Sequence, residues 1–455
     1  MAERKENIMG TMPVNRLLMK ISLPIMASML VQALYNVVDS VFVARIGEDA
    51  LTAVSLAFPL QNVMIAIGTG TGVGINALLS KSLGERNYKE ADNAALNGLF
   101  LAVLSWLVFL VFGLLFSRFY FETQTSDTRI IAHGVDYLMI CTVFSFGLFG
   151  QITLERLLQS TGKSVYAMIS QGAGAIINII LDPIMIFGYF GFPPMGVAGA
   201  AIATVIGQTC GMLLGIWFNV KKNSDITLRL RGFRPKASTI KRIYAVGLPA
   251  MAMGSLGSVM VFGMNRILLA FSTTAAAVLG VYFKLQSFIF MPVFGLNNGI
   301  VPILSFNYGA RRRDRMSNVI KQGILYAVII MTAGMLLFLS VPGLLLSLFK
   351  ASPEMSRMGS IALRIICVSF PFAGFCIVCT GVFQALGQSM LSLMTSVARQ
   401  LIVLLPVAYL LSRLGNVDLV WIAFPIAEIM SLITCAIFLR KVHREVIEPI
   451  PEHML

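Results

Sequence analysis

Two aspartates interrupt stretches that are otherwise built of apolar residues. Asp39 lies between Val37-Val38 and Val41-Phe42-Val43, and Gln32, Tyr35 and Asn36 stand seven, four and three residues before it. On a helix these four share one face. Asp182 closes the run Asn178-Ile179-Ile180-Leu181-Asp182-Pro183, with Asn178 four residues earlier on the same face. Pro183 has no N–H to offer the carbonyl of Ile179, which is left for a neighbour, a water or an ion. Thr204 and Gln208 repeat the four-residue spacing further on. A carboxylate at membrane depth is costly, and such residues usually face a cavity or a partner. The oxygens of Asp39, Asn178, Asp182 and Thr204 suit a proton or a hard cation such as Na⁺, for which Asp39, Asn178 and Asp182 are the candidate ligands. With no His or Cys beside them they do not suit zinc. For a proton the chemistry is that of buried acids: burial disfavours a carboxylate's charge, a second nearby acid disfavours it again, and such a group can load a proton on one side and lose it on the other. The competing reading is structural, with polar side chains bonded across helices as packing contacts.

The elements that must position these residues are membrane helices. The chain has 455 residues, 57% hydrophobic and 12% charged, with a mean hydropathy of +0.82, whereas a soluble domain carries roughly 25% charge. Apolar runs long enough to span, about 20 residues each, fall at roughly 16–45, 51–80, 94–117, 131–157, 164–189, 197–220, 240–270, 276–306, 319–349, 358–384, 389–412 and 419–439. They do not alternate as barrel strands would, so the fold class is an all-α polytopic membrane protein with twelve spans and no soluble domain. The net charge of +14 does not call for nucleic acid. Lys81, Arg86 and Lys89, the cations of the 221–242 segment, Arg311 to Arg313 with Arg315, and Arg440, Lys441 and Arg444 fall in even-numbered loops and the tail, while 190–195 and 271–275 carry none. The positive-inside rule then predicts a multi-pass protein with both termini cytoplasmic. The six cysteines all fall within spans, against a disulfide framework. The first span is too long for a cleavable signal peptide.

Half the chain repeats the other half. Shifted by 225 residues, Leu23-Pro24 falls on Leu248-Pro249, Met26 on Met251, Gly70 and Gly74 on Gly295 and Gly299, Leu79-Ser80 on Leu304-Ser305, and QSTGKS (159–164) on QALGQS (384–389); near the end the offset slips to about 220. The expected organisation is an N-lobe over 1–220, a cytoplasmic linker over 221–238 and a C-lobe over 239–455. Six spans each return the chain to the same side, so the lobes share an orientation and a pseudo-two-fold axis along the membrane normal, as in transporters.

The repeat exposes an asymmetry. Asp39 maps onto Met264, so the acid belongs to one lobe. In the C-lobe Lys284, Arg399 and Glu428 lie inside spans; Glu428 sits where the repeat places Gln208, and Lys284 and Arg399 either line that lobe's cavity or snorkel or pair locally. Gln32, Tyr35, Asn36, Gln208, Met264, Lys284, Arg399 and Glu428 are the candidate substrate-cavity residues. Asp136 and Glu155, near span ends, are expected to be solvated. The glycines from Gly68 to Gly74 lie inside a span with no preceding strand and read as close helix packing, not a nucleotide loop. Gly162-Lys163-Ser164 lacks the upstream glycine of a phosphate loop. The histidines His133, His443 and His453 stand at span ends or in the tail, against an intramembrane enzyme; no cofactor is expected.

With these residues in place, the chain resembles the multidrug and toxic compound extrusion family over nearly its whole length. The resemblance rests on LVQALYNVVDSVFVARIG, NIILDP, GVAGAAIATVIGQ and the paired QSTGKS and QALGQS. It implies H⁺- or Na⁺-coupled efflux of small amphipathic organic cations by alternating access, from a bacterial or archaeal inner membrane, by a monomer. Asp39, Asn178 and Asp182 match the N-lobe cation site of the DinF-like branch, with Thr204 a looser match. The chain departs from the NorM-like branch, which carries acids in spans seven and ten. The alternatives are a lipid or oligosaccharide flippase of the same superfamily, an intramembrane enzyme and a channel.

Overall fold

The computed structural model describes residues 7–349 and 352–451, so His453 lies outside the described residues. Every element among them is helical. Ten helices are long and apolar enough to cross a membrane, and two bent pairs raise the number of spans to twelve. In order the spans are Val14–Ala44, Glu48–Gly84, Tyr88–Gln124, Thr128–Val143 with Phe146–Ser160, Ser164–Phe187, Gly196–Lys221, Ala237–Leu269, Thr273–Gly309, Arg313–Ser340, Pro353–Cys367 with Phe370–Ala385, Ser389–Ser412 and Val417–Ile447. Large apolar side chains such as Leu107, Leu115, Phe119, Ile329 and Leu336 stand exposed along them, as a hydrocarbon solvent allows and water would not.

The fourth and tenth spans depart from the continuous runs expected. They bend by 44° and 51° at breaks after Val143 and Cys367. At each break a serine hydroxyl turns back onto a carbonyl three residues earlier, Ser145 to Thr142 at 2.7 Å and Ser369 to Ile366 at 2.6 Å. Such local bonds compete with the helix ladder and satisfy the carbonyls that a bend frees in an apolar medium. The eleventh span is interrupted by a π-helical stretch, Ala398–Leu404.

The duplication is visible atom by atom. Ser80 donates to the Ser160 carbonyl at 2.9 Å, and Ser305 donates to the Ala385 carbonyl at 3.0 Å. Arg86 and Arg311 take the left-handed conformation in equivalent turns, at φ 57° and 55°. Gly162 and Gly387 do so at 80° and 77°, where a side chain would be strained.

Packing divides the chain into two units whose boundaries differ from 1–220 and 239–455. One unit joins Met1–Thr11 to Ala27–Met251; the other joins Met12–Met26 to Ala252–Leu455. The first turns of span seven therefore pack with the first half of the chain, and those of span one with the second. Glycine makes both seams. A Cβ at Gly74 would strike the Ile243 carbonyl, and one at Gly299 would strike Ser22. The glycine run from Gly68 to Gly74 is helical throughout, which agrees with the close-packing reading.

Candidate functional site

In the first unit, spans one, five and six bring Asp39, Tyr35, Asn178, Asp182 and Thr204 together. Asp182 is fully buried, with Asn178 and Thr204 nearly so; Asp39 is half-buried. Asn178 Nδ2 donates to Thr204 Oγ1 at 3.2 Å, and the Tyr35 hydroxyl lies 3.5 Å from the same oxygen. The two carboxyl groups are placed to interact directly, and both lie within electrostatic reach of the Tyr35 hydroxyl. As two carboxylates neither can donate to the other. Asp39 Oδ1, Asn178 Oδ1 and both oxygens of Asp182 are accordingly buried without a hydrogen-bond partner. Four buried acceptor oxygens with no donor are costly. A proton gives a donor to one of them, and a hard cation placed among them could be shared by several; either lowers that cost.

Why these side chains meet follows from helix periodicity. Asn178 and Asp182 stand four apart in Ser164–Phe187, so both reach the same neighbour. A glycine at 207 lets that neighbour approach, since a Cβ there would meet Asn178 Cβ at 3.0 Å and the Gly174 carbonyl at 2.6 Å. A second polar patch flanks the cluster. Gln61 donates to the Tyr137 hydroxyl at 3.1 Å and lies 3.8 Å from Cys141 Sγ. Gln61, Cys141, Thr204 and Gln208 share a cavity of about 40 Å³ with Met64, Ile65 and Leu148, room for a water molecule.

The remaining residues divide. Gln32 accepts from Gln171 at 3.1 Å, one step from the cluster. Asn36 is exposed and does not join it. Met264, the repeat's counterpart of Asp39, has no exposed surface. Lys284 is exposed. Arg399 pairs with Glu428 at 2.5 Å, within the second unit. Glu155 corrects the expectation of a solvated acid. It is buried and accepts from Gln151 Nε2 at 2.8 Å, beside a buried Arg156 that donates to Gln159 at 3.0 Å. The reason is that the helix of Phe146–Ser160 continues past it and packs against span six. Asp136 is exposed, as expected. Sequence reasoning missed Tyr137 and Gln61; the match of Gln61 with Gln286 in the repeat was the available signal. Among the described residues no group of three or more His, Cys, Asp and Glu side chains could hold a metal ion.

Twelve helical spans in duplicate, with unpartnered acids inside one half, define a polytopic membrane transporter. The MatE family model matches residues 24–184 and 236–410, once in each half, and the chain belongs to that family, whose members are transporters and not enzymes. It is similar to the multidrug export protein MepA of Staphylococcus haemolyticus, with 27% identity over 406 residues, 89% of this chain and 88% of that protein. Among solved structures it matches a multidrug resistance MATE family transporter of the MOP superfamily in an outward-facing conformation, with a TM-score of 0.92 and 24% identity, over 97% of this chain and 99% of that one. A MOP superfamily transporter from Pyrococcus furiosus, whose binding pocket of reverse polarity suggests a different function, matches with a TM-score of 0.91 and 24% identity over the same shares. At these identities the agreement is one of fold.

Proposed function

We propose that this transporter exports small amphipathic organic cations in exchange for H⁺ or Na⁺ by alternating access, and that Asp39 and Asp182, with Asn178 and Thr204, are the coupling site. The single observation that carries this reading is the set of buried, unpartnered oxygens on Asp39, Asn178 and Asp182. A carboxylate charge there attracts an organic cation. A proton or Na⁺ arriving at the same oxygens cancels that charge and lowers the affinity for the drug. Linkage makes the exclusion mutual, so drug binding expels the ion. Gln32, Tyr35, Asn36 and Gln208 of the first unit contribute to the path of the drug, as do Lys284, Arg399 and Glu428 of the second. The basic even-numbered loops support cytoplasmic termini, and the chain works as a monomer in a bacterial or archaeal inner membrane.

The test is ethidium efflux from proteoliposomes under separately imposed pH and Na⁺ gradients. Asp39→Asn and Asp182→Asn each abolish gradient-driven efflux, and the gradient that drives the wild-type protein names the ion. Undiminished efflux in both variants overturns the reading. A flippase of the same superfamily would move a lipid-linked substrate and show no gradient-driven ethidium efflux.

A further inference from the structure

Spans three and nine begin at equivalent positions, Tyr88 and Arg313, at the offset of 225. In the first unit the linker is laid over this start and held by acidic and amide side chains. Asp92 accepts from the Thr227 N–H at 2.7 Å, Asn97 from the Lys236 N–H at 3.0 Å and Glu90 from Arg242 at 2.9 Å. In the second unit Arg315 stands for Glu90 and Gln322 for Asn97, so the charge is reversed. Residues up to Thr11 pack in the first unit, and the equivalent place in the second is a cavity of about 430 Å³. Pro13, Val14, Asn15, Arg315, Asn318 and Gln322 line it. Arg315 is fixed there: its Nε donates to Asn307 Oδ1 at 3.0 Å and its Nη2 to the Met12 carbonyl at 2.7 Å. Arg312 stands within electrostatic reach of it. Residues 12–20 and 311–322 together carry Arg16, Lys20, Arg311, Arg312, Arg313, Arg315 and Lys321 against a single acid, Asp314.

The cavity lies where the apolar runs of spans one and nine begin, near 16 and 319. Asn318, Gln322, Leu325 and Ile329 follow at helical spacing along one face of span nine, and Asn15, Met19 and Leu23 along one face of span one. Leu325, Ile329, Met19 and Leu23 are all exposed. Each helix therefore offers polar side chains at the cavity and open apolar surface on the same face next to it. That is the profile of a phospholipid, headgroup first and acyl chain after.

We propose that this cavity binds the phosphate headgroup of an anionic phospholipid, with its acyl chains along Met19 and Leu23 of span one and Leu325 and Ile329 of span nine. The Arg315 guanidinium supplies the countercharge, and the amides of Asn15, Asn318 and Gln322 supply neutral donors to the phosphate and headgroup oxygens. Val14 and Arg315 lie in the first turns of their helices, where the dipoles add positive potential. Basic pockets between spans are suited to acidic lipid heads in this way. A zwitterionic headgroup brings its own cation into a basic neighbourhood and is disfavoured. The lipid does for the second unit what the linker does for the first: it covers the start of a span and satisfies the polar side chains there.

The experiment is displacement of an acyl-labelled fluorescent phosphatidylglycerol from the full-length protein in a non-ionic maltoside detergent, followed by anisotropy. Unlabelled dioleoylphosphatidylglycerol displaces the probe about tenfold more effectively than dioleoylphosphatidylcholine. Inorganic phosphate over the same concentrations leaves the probe bound, because it lacks the acyl chains that the exposed apolar faces receive. Arg315→Gln weakens phosphatidylglycerol binding about tenfold, the effect of one charge-assisted contact. Because that variant also loses the bonds to Asn307 and Met12, Gln322→Glu is measured beside it. It sets a carboxylate in the cavity, leaves the contacts of Arg315 in place, and weakens binding by a similar factor. Lys222→Gln, which removes an exposed cation of the linker and the same unit of net charge as Arg315→Gln, leaves the affinity unchanged. Equal displacement by phosphatidylcholine, full displacement by inorganic phosphate, wild-type affinity in Arg315→Gln or Gln322→Glu, or an equal loss in Lys222→Gln overturns the proposal.

Discussion

Each half of the chain ties its fifth span to its sixth with a side-chain hydrogen bond, and the two bonds are of different kinds. In the first half Asn178 donates to Thr204, a neutral bond at 3.2 Å that leaves two neighbouring carboxyl groups without donors. In the second half Arg399 donates to Glu428, a charged bond at 2.5 Å in which the acid has its countercharge. The scaffold around both is alike, down to the serine hydroxyls that donate to a backbone carbonyl, Ser80 to Ser160 and Ser305 to Ala385. What differs is whether the local charge is already neutralised from within. An acid that is not neutralised takes an ion from solution; an acid that is neutralised does so only when its partner is taken away. Duplication supplied two like scaffolds, and their polar contents differ.

Four sets of substitutions break or sharpen this contrast. The largest effect belongs to the acids. Asp39→Asn/Asp182→Asn lowers gradient-driven ethidium efflux about a hundredfold or more in proteoliposomes, as expected when a coupling ion loses both its charged ligands. The same assay on Arg399→Gln/Glu428→Gln shows a smaller loss; equal losses in the two double variants would erase the distinction between the lobes. Next comes the ion pair. Glu428→Leu strands Arg399 and costs about 2 kcal/mol, below the range for a fully buried pair because the arginine is partly open. Thermal unfolding followed by labelling of the buried cysteines reads this, and Arg399→Met added to Glu428→Leu restores most of the loss. A smaller effect is expected at Thr204→Val, which removes the acceptor of Asn178 and costs about 1–2 kcal/mol in the same assay. Its ethidium efflux falls less than in either aspartate variant. Smallest are Ser80→Ala and Ser305→Ala, each costing about 1 kcal/mol. Their equality is the prediction: a marked difference would mean that the shared scaffold is not equally stressed in the two halves.

Much of this was legible in the residues themselves. The repeat at an offset of 225 and the spacing of Asn178 and Asp182 arise from periodicity, which sequence displays directly. Asp39 stood out because a carboxylate among valines has few structural excuses. The Arg399–Glu428 contact was open as one of several readings, since the partners lie 29 residues apart and only the packing of span eleven on span twelve decides between them. The bends at Ser145 and Ser369 were not legible. A serine in a helical run bonds its own backbone in either case, and hydropathy does not register a change of direction. Glu155 was misplaced for a related reason: its distance from the predicted end of an apolar run said nothing about the helix packed over it.

The crossed membership of spans one and seven bears on how the protein is made. Met12–Met26 packs with residues that leave the ribosome only after the linker, and the first unit is incomplete until Ala237–Met251 has been synthesised. The leading turns of span one must therefore wait in the bilayer without their final neighbours while more than half the chain is translated. A polypeptide cut within 221–236 would yield two fragments, each missing a segment that the other carries. Neither half is a self-sufficient module, and their assembly is an obligatory exchange at the level of biogenesis.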